Sequence, residues 1–124
     1  MGWSIVPWGC GKLLRWIDER YDRPRIYITE NGCALQGEGQ REVALNDTAR
    51  IDYFRAYLSE CANALEAGVD LRGYFCWTLM DNFEWTHGYD KRFGLYYVDF
   101  ETQRREAKQS AKWYGQVART GMLV

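Results

Sequence analysis

A chain of 124 residues with 47% hydrophobic content has room for one domain with a real core and is too apolar for a disordered segment. Sixteen basic residues against seventeen acidic ones leave a net charge of -1 with no basic arm. That balance excludes the electrostatic footprint of a nucleic-acid binder and suits a neutral small-molecule ligand.

No apolar run approaches the roughly 18 to 20 residues that span a bilayer, and no secretory signal opens the chain, so no membrane partner is expected. Cys10, Cys33, Cys61 and Cys76 show neither metal-ligand spacing nor the density of a disulfide scaffold. They read as reduced, mostly buried thiols, and the expected location is cytoplasmic.

Pro7 can open a helix at its first position, and Leu13, Leu14, Ile17 and Tyr21 recur at helical spacing until Asp22-Arg23-Pro24 stops the segment. Gly9 and Gly11 weaken its first turn. Ile26-Tyr27-Ile28-Thr29 is β-prone and ends abruptly in Glu30-Asn31-Gly32, which predicts a buried strand that delivers Glu30 to a loop. In α/β barrels reacting groups occupy such strand ends, because the strand fixes the backbone while the end opens into a pocket. A glutamate after a strand is often just a solvated turn residue.

Cys33 to Ala44 carries Gly37 and Gly39 without a sustained period and reads as a loop bordering the strand exit. Asn46 or Asp47 can cap the next helix, in which Ile51, Phe54, Leu58, Cys61 and Leu65 form a core stripe that ends at Gly68. Leu71 to Trp77 is a second strand, and its run of Tyr74, Phe75, Cys76 and Trp77 suits burial on both faces of a parallel sheet. Strand, helix, strand in this order implies parallel neighbours whose carboxyl ends open on the same side.

Trp77 to Trp85 then gathers two indoles, the carboxylates of Asp81 and Glu84, and the amide of Asn82. Flat apolar faces beside hydrogen-bond acceptors are what a sugar ring needs. The competing reading packs Trp77 and Phe83 in the core while Asp81 and Glu84 cap a turn. His87 reads as an ordinary loop residue and no metal site is expected; Lys91 and Arg92 read as a solvated basic pair. Gly94 to Phe100 suggests a short strand turned by Glu101-Thr102-Gln103, and Ala107, Ala111, Tyr114 and Val117 trace a last helix ended by Gly121.

With Ile28-Thr29-Glu30-Asn31-Gly32, the Trp77 to Trp85 run and Arg92-Phe93-Gly94-Leu95 in place, the chain resembles the C-terminal part of a glycoside hydrolase family 1 β-glucosidase over almost its whole length. The resemblance implies an α/β fold, the C-terminal part of a (β/α)8 TIM barrel: about the last two βα units plus a preceding helix. Residues 1–124 would then be a partial catalytic barrel. Family members also resemble this chain in having Met-Gly-Trp before the first helix, so Met1 is expected to be an internal methionine.

What the family implies is a retaining β-glycosidase acting on β-glucosides or related sugars without a cofactor. Glu30 matches its catalytic nucleophile, Trp77 the platform under the glycone, Glu84 and Trp85 the pair that hydrogen-bonds the outer hydroxyls, and Phe93 an aromatic wall. Asn31 shapes the strand exit. Spacing alone nominates Glu84 or Asp81 as the second carboxyl, whereas the resemblance assigns the acid/base to an Asn-Glu-Pro motif that this sequence lacks. The isolated chain is therefore expected to be inactive, and the alternative is a non-catalytic carbohydrate-binding or interaction fragment derived from the family. Members acting on 6-phosphorylated sugars usually carry a serine and basic cluster where Glu84 stands. A carboxylate there repels phosphate, which implies unphosphorylated substrates. Thr86-His87 departs from the family pattern and leaves the choice among glucose, galactose and fucose open.

Overall fold

Proline lacks an N–H and holds φ near the helical value, so Pro7 starts a helix at no hydrogen-bonding cost. In the computed structural model, which describes residues 2–123 and so leaves Met1 outside the description, α1 runs Pro7–Arg20. It buries Gly11, Leu14 and Asp18, spaced by three and four residues, against a second long helix. Of the expected stripe Leu14 is buried and Ile17 half-buried, while Leu13 and Tyr21 are exposed. The contact face is set by Gly11, where a Cβ would lie 2.1 Å from Glu60 Oε2, and this close approach turns Leu13 outward.

Strand β1 spans Ile26–Asn31 and β2 spans Leu71–Cys76. They pair in parallel, with Ile28 opposite Tyr74 and Asn31 opposite Cys76, as the strand, helix, strand order predicts. Between them lie α2, Arg41–Leu45, and α3, Thr48–Glu66. The five residues of α2 correct the reading of Cys33 to Ala44 as plain loop: the run Glu42-Val43-Ala44-Leu45 turns once and buries Ala44, too short for a period to show.

Two corrections concern α3 and β2. The buried face of α3 is Arg50, Tyr53, Phe54, Tyr57, Cys61 and Ala64, whereas Leu65 from the expected stripe is 51% exposed. Asp47 stands at the N-cap position, yet its carboxylate makes no capping bond; it accepts from Arg50 Nε at 2.9 Å and from the Ser110 backbone N–H at 2.9 Å. Strand β2 is not buried on both faces. Ile26, Ile28, Leu71 and Tyr74 pack on the Leu14–Cys61–Ala64–Val69 core, while Tyr27 and Phe75 are 55% and 56% exposed on alternate positions.

After β2 a loop with one 3-10 turn, Trp85–His87, leads to the hairpin of β3, Tyr96–Val98, and β4, Arg105–Ala107. Asp99 Oδ1 accepts the N–H groups of Glu101 and Thr102 at 3.0 and 3.1 Å, which makes the expected turn. The last helix, α4, runs Gln109–Thr120; Ala107 belongs to β4 instead. Gly121 ends α4 at φ +69°, its N–H bonded to Val117 O at 2.8 Å. All four cysteines are free, with Cys33 and Cys61 buried and Cys10 and Cys76 half-buried. No helix among the described residues is long and apolar enough to cross a membrane.

Candidate active site

The ends of β1 and β2 are locked together before any functional group is considered. Trp77 N–H donates to Asn31 O at 2.8 Å, and the Tyr74 hydroxyl donates to Asn31 Oδ1 at 2.6 Å. Burial pushes the Tyr74 phenol well above its ordinary pKa, so it stays a donor. Asn31 is thus a shaper of the strand exit, tied on both its main chain and its side chain. A Cβ on Gly32 would lie 1.8 Å from the Trp77 carbonyl oxygen, so only hydrogen fits at that position. Gly32→Ala is expected to cost more than the roughly 1 to 3 kcal/mol of ordinary overpacking, because the obstacle is backbone. Thermal denaturation followed by circular dichroism reads this as a clearly lowered Tm; an unchanged Tm would show that the two strand ends are not so tightly held.

A cleft of about 470 Å³ opens at this junction, within the range that holds a small ligand. Glu30 reaches it from the end of β1 and Trp77 from the end of β2. Glu84 and Trp85 reach it from the following loop, and Phe93 forms a buried wall. The five residues that the resemblance assigns to the site therefore line one cavity. Trp85 is 81% exposed at its rim. Sequence reasoning gave no role to Tyr53 or Trp3, which also line the cleft. Tyr53 sits on the buried face of α3, and the Trp3 ring lies 6.4 Å from that of Phe93; only tertiary placement reveals either.

Asp81 is removed as a second cleft carboxyl. It is buried, accepting from Arg92 Nη1 at 2.8 Å, Lys108 Nζ at 3.0 Å and Gly94 N–H at 2.9 Å. Arg92 is correspondingly not a solvated loop residue: it also donates to Val98 O at 2.9 Å and stacks over Tyr97 and Phe100 at 4.4 and 4.9 Å. Burial lowers the Lys108 pKa, with Asp81 working against that shift. A Cβ on Gly94 would lie 2.1 Å from Asp81 N, so the Arg92-Phe93-Gly94-Leu95 run is fitted around this carboxylate and presents Phe93 to the cleft.

The turn-capping alternative also fails. Phe83 is exposed and packs only at the surface, its ring 5.6 Å from that of Tyr89. Glu84 precedes the 3-10 turn without a side-chain capping bond and faces the cleft. Cys33, just beyond Gly32, has its thiol pushed up to about 11 by burial, so it is no competing nucleophile. Among the described residues no group of three or more His, Cys, Asp or Glu is placed to hold a metal ion.

A carboxylate at the end of a parallel strand, beside indoles and a second carboxylate, fits a segment of a barrel-type glycoside hydrolase. The chain belongs to glycosyl hydrolase family 1, whose family model matches residues 1–122. β-Glucosidase A of Thermotoga maritima is 46% identical over 123 residues, covering 99% of this chain and 28% of that protein. A 6-phospho-β-galactosidase of Lacticaseibacillus rhamnosus is 48% identical, covering 98% of this chain and 27% of the relative. The solved family 1 β-glucosidase from Thermotoga maritima superposes with a TM-score of 0.93 at 45% identity, covering all of this chain and 28% of that one. The same enzyme is also solved in complex with deoxynojirimycin. The chain thus corresponds to the C-terminal part of a (β/α)8 barrel and spans little more than a quarter of the length of these relatives.

Proposed function

We propose that this chain is the part of a retaining β-glycosidase that supplies the nucleophile, Glu30, and most of the surface that grips the glycone. The observation that carries the reading is the convergence of Glu30, Trp77, Glu84, Trp85 and Phe93 on one cleft. Glu30 attacks the anomeric carbon from the face opposite the aglycone. The bond from that carbon to the aglycone oxygen breaks, and the oxygen takes a proton from a second carboxyl on a segment outside this chain. Water, deprotonated by that same carboxyl, then cleaves the glycosyl ester and restores Glu30, so the configuration is retained.

Trp77 offers its face to the C–H side of the sugar, while Glu84 accepts hydrogen bonds from its outer hydroxyls. Glu84 also supports an unphosphorylated β-glucoside or related sugar as substrate, since a carboxylate opposes a 6-phosphate. The four free thiols suit a reducing compartment, and we place the reaction in the cytoplasm. The test is a chimera in which this chain replaces the matching segment of Thermotoga maritima β-glucosidase A. Incubated with a 2-fluoro-glucoside bearing a good leaving group, it should carry the trapped sugar on Glu30; a label on any other residue rejects the assignment.

The second reading, a sugar-binding fragment without catalysis, is favoured by one observation: Asp81 is spent internally, leaving Glu84 as the one carboxylate beside Glu30 in the cleft lining. The two readings separate on the 124-residue chain itself. The catalytic reading expects neither aryl glucoside hydrolysis nor saturable sugar binding without the rest of the barrel. The binding reading expects saturable quenching of tryptophan fluorescence by glucose or cellobiose, weakened at least about tenfold by Trp77→Ala and unaltered by Glu30→Gln.

A further inference from the structure

Asn31-Gly32 is the one Asn-Gly pair in the sequence. Asn-Gly is the dipeptide most open to deamidation, because glycine leaves its amide nitrogen unshielded by a side chain and lets the backbone turn freely. Asn31 is half-buried and lines the cleft, so water and hydroxide reach it. Two contacts with β2 and its exit oppose the reaction. Asn31 Oδ1 accepts the Tyr74 hydroxyl at 2.6 Å, which fixes the side chain against β2. Asn31 O accepts the Trp77 N–H at 2.8 Å, which fixes the peptide plane that ring closure has to rotate. The Trp77 carbonyl oxygen, 1.8 Å from where a Cβ on Gly32 would lie, leaves that peptide little room to swing. Burial raises the Tyr74 phenol, so it remains a donor in alkaline solution, where hydroxide drives deamidation.

We propose that Asn31 is a deamidation site held closed by the Tyr74 hydroxyl. When the bond to Tyr74 opens, the Gly32 nitrogen, stripped of its proton by hydroxide, attacks Asn31 Cγ. The bond from Cγ to Nδ2 breaks, and the nitrogen leaves as ammonia with a proton taken from water, which restores the hydroxide. Water then opens the five-membered succinimide at either carbonyl and gives aspartate or isoaspartate at position 31. One water is taken up and one ammonia released. Either product alters the strand end that carries Glu30: aspartate adds a carboxylate one residue away, and isoaspartate lengthens the main chain by one methylene.

The experiment incubates the 124-residue chain in mildly alkaline buffer, with and without denaturing urea. Mass spectrometry and chromatography then follow the tryptic peptide from Ile26 to Arg41, in which Asn31 is the only asparagine. The folded parent should convert at least about a hundredfold more slowly than the unfolded chain. Tyr74→Phe, checked for folding by circular dichroism, should convert about tenfold faster than the folded parent, the worth of one hydrogen bond to a half-buried amide. Tyr114→Phe is the control: it removes a neighbouring phenol bond, from Tyr114 to Tyr74 O at 3.1 Å, leaves Asn31 untouched and should age like the parent. Should Tyr74→Phe not fold, the same two variants in the Thermotoga maritima chimera give the comparison. A Tyr74→Phe rate within about twofold of the parent would overturn the proposal. So would equal acceleration in Tyr114→Phe, or a parent that converts as fast in buffer as in urea.

Discussion

Glu30→Gln in the Thermotoga maritima chimera should lower kcat for an aryl β-glucoside by at least about 10⁴-fold, close to 5.5 kcal/mol in transition-state stabilisation. Glutamine keeps the shape of the side chain but offers no charge with which to attack the anomeric carbon, so the covalent route is lost rather than slowed. Glu30 is solvent-facing at the end of β1, so the substitution should change stability by no more than about 0.5 kcal/mol. Loss of activity therefore reports on chemistry and not on folding. Glu30→Ala sharpens the result: azide fits the vacated space, attacks the sugar from the side Glu30 occupied, and yields the α-glycosyl azide. A Glu30→Gln chimera within tenfold of the parent would remove Glu30 from the nucleophile's role.

The strand end that carries Glu30 is legible in the sequence because its signals are local, whereas the nucleophile's role comes from the family resemblance. Ile26 to Thr29 is β-prone, Gly32 marks the exit, and the glutamate stands between them; the structure adds that Gly32 is required by the Trp77 carbonyl oxygen, which no local pattern encodes. The parallel pairing of β1 with β2 followed from element order. Charge, by contrast, was misread wherever counter-ions come from far along the chain. Arg92 and Asp81 are eleven residues apart, and Lys108 completes the group from the far side of the hairpin, so local spacing offers Asp81 to a sugar and Arg92 to solvent where the fold makes an internal cluster. Exposure was misread for the opposite reason. Tyr27 and Phe75 have the character of buried strand residues, but the chain spans 28% of the length of its Thermotoga relative and offers one helical layer to one face of two strands.

Arg50→Met is the substitution expected to damage the fold most. Arg50 is completely buried on α3, and burial works against its charge, yet Glu38 and Asp47 outweigh that effect and raise its pKa. Its Nε donates to Asp47 at 2.9 Å, and its terminal nitrogens pair with Glu38 and reach the carbonyl oxygens of Cys33, Arg92 and Phe93. One cation thus joins the segment after Gly32 to the segment that carries Phe93, the two flanks of the cleft. Methionine fills a similar volume but leaves Glu38 without its cation, along with three carbonyls that lose a donor; Asp47 keeps Ser110. Removing one member of such a buried pair costs about 3 to 5 kcal/mol, a large share of the roughly 5 to 15 kcal/mol that holds a domain folded. Urea denaturation should therefore show a much lower midpoint for Arg50→Met. Adding Glu38→Met should recover part of the loss, because the penalty lies in the stranded carboxylate rather than in a missing attraction. An Arg50→Met chain within about 1 kcal/mol of the parent would mean that water reaches these carboxylates, and that the cleft flanks are held by the packing of Phe54 and Leu95 instead of by this guanidinium.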